Sequence, residues 1–573
     1  MAESSSSSID PRSGYCRETK TFHSLHQLVP LPQETVPLTV ASYALSLQSA
    51  SPWRDATALI DFATGQCISY SEFHLLTRNL ASSLRTNAGL CKSDVAFVLS
   101  PNSIRIPILY FALLSLGVII SPANSLSTSE EICRQIRISR PVIAFATSAT
   151  ANKLPKLEYP TILIDSSEFE SAMYLKSSDF EFSKGNFEVY QNDVAAILYS
   201  SGTTGKVKGV LLTHRNFITV IAIYHHWQQQ QQQGRLFPPV MLYTIPYFHV
   251  FGFFYSLKSV AYSETAVVLG RFELRKMLRA VHEYKVTHVV VAPPIVVAIL
   301  KATELEDYDL RSLEWVGSGG APLGKDSIKS FTKKFPAVIL SQGYGLTETT
   351  GVASRAMSTE ESQCWGSVGR LVASSEAKIV DPDTGIARPP GEQGELWIRG
   401  PTIMKGYLGD SNATSETLVS NGWLRTGDVC YINDEGFLFV VDRLKELIKY
   451  KGYQVAPAEL EQLLLSHPDI ADAAVIPRLE WAPRRPVSAG ATHMEPRRPD
   501  YPDEEAGQVP LACVVRRPQS TLDEALVFDF ISKQVAPYKK VRRVVFISSI
   551  PKSPAGKILR KELRRILLPE SKL

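Results

Sequence analysis

Residues 199–209 read Tyr-Ser-Ser-Gly-Thr-Thr-Gly-Lys-Val-Lys-Gly and follow the apolar run Val194 to Leu198. A strand feeding a loop of small hydroxyls, glycines and lysines has the composition that grips a polyphosphate. Ser200, Ser201, Thr203 and Thr204 offer hydroxyl donors, and Lys206 and Lys208 supply charge. Gly202, Gly205 and Gly209 let backbone N–H groups turn toward an anion without a Cβ clash. This is not a Walker loop. That motif needs a glycine five residues before its Gly-Lys pair and a Ser/Thr after it, and Ser200 and Val207 stand at those places. Alone, the stretch also fits an ordinary Gly/Ser turn.

The chain has 573 residues, too many for one core and enough for two or more domains. Hydrophobic residues at 44% and charged residues at 21% suit a soluble globular protein. A net charge of +4 over this length argues for neither nucleic acid nor an anionic membrane. The seven cysteines lie far apart with no CxxC spacing, which is neither a zinc site nor a disulfide framework and suits a reducing compartment. The serine-rich N-terminus lacks the apolar core of a secretory signal. The longest apolar run, Ile106 to Ile120, is interrupted by Pro107 and Gly117 and falls short of the roughly 20 residues of a membrane helix. It reads as a buried helix followed by a core strand. The last residues, Ser571-Lys572-Leu573, form a tripeptide that at an extreme C-terminus addresses the peroxisomal import receptor. The alternative compartment is the cytoplasm.

Residues 1–35 read as a flexible N-terminus. From there to about residue 190, helical stretches such as Ser71 to Leu84 alternate with apolar strands such as Ser93 to Ser100 and Val142 to Ala146. The alternation continues through Val240 to Ile245, Val286 to Ala292 and Leu313 to Gly317, which predicts layered α/β architecture with largely parallel sheets. After about residue 375, short strands with Gly and Pro punctuation (Ala377 to Val380, Gly394 to Arg399, Gly436 to Val441) predict a β-rich subdomain. Beyond Asp442 the chain turns basic and helical, marking a small C-terminal domain over 442–573. Two segments read as insertions: the glutamine run Gln228 to Gln233, and the Arg/Pro-rich stretch at about 478–500. The second reads as a solvated loop more readily than as a basic patch.

Four further stretches complement the first loop. Pro246-Tyr247-Phe248-His249-Val250-Phe251-Gly252 sets one histidine among aromatics, as core filling or as a wall for an apolar substrate. Ser318-Gly319-Gly320-Ala321-Pro322 follows a strand and lets a flat ring approach the backbone. Gln342-Gly343-Tyr344-Gly345-Leu346-Thr347-Glu348 combines a stacking ring, a hydroxyl and a carboxylate suited to Mg2+. Arg425-Thr426-Gly427-Asp428 and, beyond it, Arg443 are candidates for ribose hydroxyls. Finally, Ser553-Pro554-Ala555-Gly556-Lys557 puts a lysine on a turn before the basic helix Ile558 to Leu567.

From about residue 30 to 570 the chain resembles the adenylate-forming superfamily of acyl-CoA synthetases, firefly luciferases and adenylation domains. Within it, the likeness is to plant 4-coumarate:CoA ligases and their peroxisomal ligase-like relatives. SSGTTGKVKG, GYGLTE, RTGD, DRLKELIKYKGYQVAPAELE and SPAGK carry it. The resemblance implies a large N-terminal domain over 36–441, a small mobile α+β C-terminal domain, and a two-step reaction with ATP, Mg2+ and coenzyme A on a small carboxylic acid. It implies that Ser200, Ser201, Gly202, Thr203, Thr204 and Gly205 hold the β- and γ-phosphates, and that His249 sits by the acyl carboxylate with Phe251 and Gly320 in its pocket. Tyr344 would stack on adenine beside Gln342 and Gly343; Thr347 would contact the α-phosphate and Glu348 would hold Mg2+. Asp428 and Arg443 would bind ribose, and Gln454 the nucleotide. Lys445 lies in the implied hinge; Lys449, Lys451 and Gly452 would line the thioester-forming site. Lys557 resembles a lysine used only for adenylation, and Arg271 occupies a place often basic for the CoA phosphate.

Three departures stand out. Val207 replaces the usual proline of the phosphate loop, which changes stiffness but removes no contact. Phe251 stands where 4-coumarate ligases often carry tyrosine, so the pocket loses a hydroxyl. At 478–500, family members run from an Ile-Pro like Ile476-Pro477 almost directly into a segment like Tyr501 to Gly507, so the stretch reads as an added exon or retained intron. The expected acid is 4-coumarate or a related hydroxycinnamate. The alternative is a medium- or long-chain fatty acid or oxylipin precursor activated for peroxisomal β-oxidation. A carrier-loading module would need a following carrier domain of roughly 80 residues, and a non-catalytic relic would be expected to have lost Glu348, Asp428 or Lys557.

Overall fold

The computed structural model describes residues 9–175, 188–200, 207–231, 235–321, 323–450, 453–479, 508–553 and 556–567. Ser201 to Lys206, Lys451, Gly452, residues 480–507 and Ser571 to Leu573 lie outside them, as do the expectations placed on those positions. Contacts divide the chain into two units. One takes Met1–Gly320, Ile328–Thr426 and Tyr431–Phe439; the other takes Ala321–Ser327, Gly427–Cys430 and Val440–Leu573.

The first unit is built on two layered sheets and a β-rich third. A nine-stranded sheet has the parallel centre Ile339–Tyr344, Trp315–Ser318, His288–Val291, Val240–Tyr243, Thr265–Val268 and Thr57–Asp61. A seven-stranded sheet runs in parallel from Val194–Ser200 through Ile119–Ala123, Val95–Leu99 and Ile143–Ala146 to Thr161–Leu163. Its strands, such as Val-Ala-Phe-Val-Leu and Ile-Ala-Phe-Ala, are apolar on both faces because helices cover both. Every residue from Ile106 to Leu114 is buried in the helix Arg105–Ser115, as expected of a helix apolar all round. Its Tyr110 ring lies 4.8 Å from Phe253 of the helix Val250–Ala261, and Phe217 of His214–Gln231 packs on the same ring at 5.1 Å.

Two expectations change. The N-terminal segment is not free from residue 9 onward: Thr21–His23 pairs with Glu376–Val380, placing His23 opposite Glu376 and Phe22 opposite Ala377. Phe22 and Cys16 are buried there, and that apolar surface offsets the cost of ordering the segment. The glutamine run is not merely inserted. The helix His214–Gln231 continues into it, and buried Gln228 donates to Glu264 Oε1 at 3.4 Å.

The second unit carries a three-stranded sheet of Ile470–Leu479, Gln508–Arg516 and Arg543–Phe546. The helices Pro457–Ser466 and Glu524–Ser532 pack against it through Leu460, Leu464, Val527 and Ile531. The antiparallel ladder between its first two strands runs to Leu479 opposite Gln508, so the ends of residues 480–507 are already held side by side. Replacing 480–507 with a two-residue Asn-Gly turn is expected to leave the second unit folded. Its calorimetric midpoint should stay or rise, since a shorter loop costs less to close by about 0.6 kcal/mol per halving. Loss of its unfolding transition would mean that the segment builds part of the core.

Candidate active site

Parallel pairing decides which residues meet in the first unit. Gly317 lies opposite Ser341 and Ser318 opposite Gln342, so the turns after both strands leave the sheet at the same edge. The strand Val240–Tyr243 ends at that edge too and leads through Pro246 to the helix Val250–Ala261. Carboxyl ends of parallel strands are where open α/β sheets bind ligands. The turns touch: a Cβ placed on Gly319 would lie 3.4 Å from Gly343 O and 3.9 Å from Phe251 Cε1. A Cβ on Gly345 would lie 2.3 Å from Gly351 O, so only glycine permits this packing. Gly320 has φ +85, a left-handed turn into the next segment.

The phosphate-loop residues beyond Ser200 are not described, but their frame is. Val194–Ser200 and Lys208–Thr213 form an antiparallel pair with Ser200 opposite Lys208, which closes the loop at its base. The far side of Lys208–Thr213 pairs with Gly406–Tyr407. Lys208 Nζ sits 4.5 Å from the centre of the Tyr407 ring, and the Tyr407 hydroxyl donates to Glu348 Oε1 at 2.9 Å. Glu348 is buried, its backbone carbonyl accepting from Met404 N at 2.9 Å. The candidate metal carboxylate is thus fixed beside the base of the phosphate loop. Sequence reading missed Tyr407, whose role depends on a strand register that no local pattern announces. Glu348 and the neighbouring half-buried Thr347 are hard oxygen donors suited to Mg2+. The described residues contain no group of three or more His, Cys, Asp or Glu that would cage a metal, and Mg2+ shared with substrate phosphates needs none.

His249 caps the helix Val250–Ala261, its Nδ1 accepting from Phe251 N at 3.3 Å. Burial pushes the imidazole down to about 4, so it is neutral at physiological pH. The Phe251 ring meets Tyr255 edge-on at 4.7 Å. Tyr344 is half-buried, beside Gly343 and opposite Ser354 in the sheet. The Gln342 side chain donates to Ser367 O at 3.0 Å, so it braces a neighbouring loop. Arg271 is exposed ahead of the helix Leu274–Tyr284.

A second group assembles within the second unit. Arg443 Nε lies 3.1 Å from Asp428 Oδ1, so the two candidate ribose residues pair. Lys557 follows Gly556, at φ +79, in a turn closed by Lys557 N donating to Ser553 Oγ at 3.1 Å and Ser553 N donating to Lys557 O at 2.8 Å. Its amine is pushed below the usual lysine range by burial and then by Arg443, while Glu446 and Asp428 oppose that shift. Arg560, three residues on, clamps both Glu461 oxygens at 2.7 Å and also binds Glu446. Lys445 is exposed, and Lys449 lies opposite Gln454 in the hairpin Ile448–Tyr450 and Tyr453–Val455. Of the RTGD segment, Arg425 and Thr426 brace Glu395 and Leu396 O rather than facing a ligand.

Layered parallel sheets, a held carboxylate beside the base of a hydroxyl- and glycine-rich segment, and a second, lysine-bearing unit are the features of an adenylate-forming enzyme. The AMP-binding enzyme family matches residues 47–408, and its C-terminal domain matches 501–557. The chain belongs to this family. It is 49% identical over 569 residues to 4-coumarate--CoA ligase-like 9 of Arabidopsis thaliana, covering 97% of each chain. It is 43% identical to Peroxisomal OPC-8:0-CoA ligase 1 of Arabidopsis thaliana, covering 99% of this chain and 100% of the relative. Among solved structures, the o-succinylbenzoate CoA synthetase MenE of Bacillus subtilis, in complex with ATP and magnesium, aligns with TM-score 0.73 at 26% identity over 91% of this chain and 99% of its own. ATP-bound MatB of Rhodopseudomonas palustris shares the fold with TM-score 0.79 at 24% identity, over 92% and 99% of the two chains. The curated relatives are CoA ligases by name, consistent with an AMP-forming acid–thiol ligase.

Tyr407→Phe removes the hydroxyl that orients Glu348; if that carboxylate holds Mg2+, adenylate formation is expected to fall about ten- to hundredfold, the scale of losing the partner of a metal-binding side chain. The loss should be partly recovered at higher Mg2+, which a merely structural defect would not show. Acid stability follows from the buried imidazoles: His214 and His249 are held near 4 and His288 well below 6.5, chiefly by burial. The unfolded chain therefore binds more protons between about pH 6.5 and 4, and this stability is complete above 6.5 and lost as pH falls. Six of the seven tryptophans lie in the first unit, so the thermal midpoint read by tryptophan fluorescence should drop across that window. A midpoint unchanged down to pH 5 would contradict it.

Proposed function

We propose that this chain ligates a carboxylic acid to coenzyme A through an acyl adenylate. An oxygen of the acid attacks the α-phosphorus of ATP, the bond to the β-phosphate breaks, and pyrophosphate leaves. The coenzyme A sulfur then adds to the acyl carbonyl, gives up its proton, and AMP departs. The observation carrying this reading is the Glu348 carboxylate held by Tyr407 beside Lys208 at the base of the Ser200 loop. Mg2+ bound by Glu348 would offset the charge of the triphosphate. Ser200 to Gly205 would take the β- and γ-phosphates, Thr347 the α-phosphate, and Tyr344 would stack on adenine near Gly320.

The acid would enter past His249. A neutral imidazole donates or accepts without placing a second charge beside the carboxylate. Asp428 and Arg443 are the ribose pair, with Gln454 also toward the nucleotide. Lys557 supplies charge during adenylation, Lys445 lies in the hinge, and Lys449, Lys451 and Gly452 serve thioester formation, with Arg271 toward the CoA phosphate. A cation about 4 Å from the reacting phosphate is worth roughly 4 kcal/mol at an effective dielectric near 20. The depressed basicity of Lys557 is consistent with a desolvated amine awaiting an anion.

For the acid itself, the likeness to 4-coumarate ligases supports a hydroxycinnamate. A cavity of about 190 Å3 behind Tyr255, together with the relative named for OPC-8:0, supports a longer acid. The peroxisome is the proposed compartment, on the tripeptide Ser571-Lys572-Leu573 and the peroxisomal relative.

Lys557→Ala is expected to abolish ATP–pyrophosphate exchange while sparing thioester formation from a supplied acyl adenylate. Equal loss of both half-reactions would remove Lys557 from its assigned step. Absence of exchange by the unmodified protein with cinnamic, medium-chain and oxylipin acids alike would reject the ligase reading.

A further inference from the structure

The cavity behind Tyr255 holds a charge that the reaction leaves unused. Arg355 lies opposite Gly343 in the ladder that carries the candidate adenine segment. Its guanidinium lies 4.7 Å from the Tyr224 ring, 5.3 Å from Trp227 and 4.5 Å from Trp315. It is only 6% exposed. Among the described residues no carboxylate forms an ion pair with it, and the phenols of Tyr224 and Tyr255 are its nearest polar side-chain neighbours.

A guanidinium keeps its charge at any physiological pH, and a buried charge without an opposite partner is costly. The three rings offset part of that cost through their faces, but the in-plane N–H groups of a guanidinium call for oxygen acceptors. The other charges lining the cavity cancel in pairs: Lys258 binds Glu264, and Arg235 binds Glu314. His288 is held neutral by burial and the surrounding cations. The cavity therefore carries one excess positive charge.

Its position relative to His249 follows from one helix. His249 caps Val250–Ala261, and Tyr255, Lys258 and Tyr262 follow at helical spacing along the face that lines the cavity. At 1.5 Å per residue, these lie about 9 to 20 Å beyond His249 along the axis. Phe251, beside Gly319, touches Tyr255, and Tyr255 forms the cavity wall.

We propose that Arg355 is a specificity-determining residue that reads a hydrogen-bond-accepting oxygen, carbonyl or carboxylate, at the far end of the acyl chain. The inference rests on the ligase reading: the reacting carboxylate stays at His249, and the chain passes Phe251 and Tyr255 to present its distal oxygen to the guanidinium. A methyl end would leave that charge unpaired, and a site built around a polar partner rejects the analogue lacking it far more strongly than a hydrophobic pocket rejects an extra group. A distal carboxylate also neutralises the excess charge and should be preferred to a ketone.

ATP–pyrophosphate exchange by the full chain tests this with medium-chain acids matched in length and ending in methyl, ketone or carboxylate. The oxygen-bearing acids should exceed the methyl-ended acid by at least about tenfold in kcat/KM, the scale of one satisfied buried hydrogen bond to a charge. Arg355→Met should reduce that preference to within about twofold while exchange with the methyl-ended acid persists, and Arg355→Lys should restore part of it. Equal or better use of the methyl-ended acid by the unmodified protein overturns the proposal without needing any variant to fold. Exchange with no acid at all is the separate failure of the ligase reading.

Discussion

The register of the parallel strands is the constraint on which the first unit's site depends. With Ser318 opposite Gln342, and Val240–Tyr243 beside His288–Val291, three turns distant in sequence must leave the sheet at one edge. A slip of one residue would turn every side chain to the opposite face and part Gly319 from Gly343. The glycines make the contact close: a Cβ on Gly345 would lie 2.3 Å from Gly351 O, and one on Gly343 would lie 3.3 Å from Ser354 O. The sheet is specified by apolar burial, and the assembly of Pro246–Phe251, Ser318–Gly320 and Gln342–Glu348 follows from it.

Within each unit the charged groups are held by specific partners. Glu348 is oriented by Tyr407, Asp428 by Arg443, and the segment after Lys557 by Arg560 on Glu461. Each is buried enough that losing one partner would strand a polar group in a poor solvent, which costs more than the contact itself contributes. Such pairs hold geometry. Arg355 differs in kind: rings and two phenols surround it, and among the described residues no acid pairs with it.

Much of this was legible in the sequence because it rests on local composition. The parallel strands are short and apolar, so Ile143–Ala146, Gly394–Arg399 and the buried helix Arg105–Ser115 fall within a few residues of where periodicity places them. The glycine-rich turns declared themselves by residue type, and their proposed roles rest on the resemblance. What escaped depends on contacts between distant segments. Tyr407 reaches Glu348 only because Gly406–Tyr407 docks on Lys208–Thr213, and Thr21–His23 is ordered only because Glu376–Val380 accepts it. Gln228 looked like part of a featureless run because its partner, Glu264, comes 36 residues later, after the helix Val250–Ala261. Arg355 sits in an unremarkable stretch, and only three aromatic rings brought from elsewhere reveal it as buried.

The central claim is that an acid oxygen attacks the α-phosphorus of ATP at the site framed by Glu348, Tyr407 and the Ser200 loop. Oxygen-18 tracing tests it most directly: an accepted acid labelled in its carboxylate is turned over with ATP, Mg2+ and coenzyme A, and the phosphorus products are read by mass spectrometry. The expected result is one labelled oxygen in AMP and none in pyrophosphate. Label appearing in inorganic phosphate, with ADP as the nucleotide product, would contradict the account.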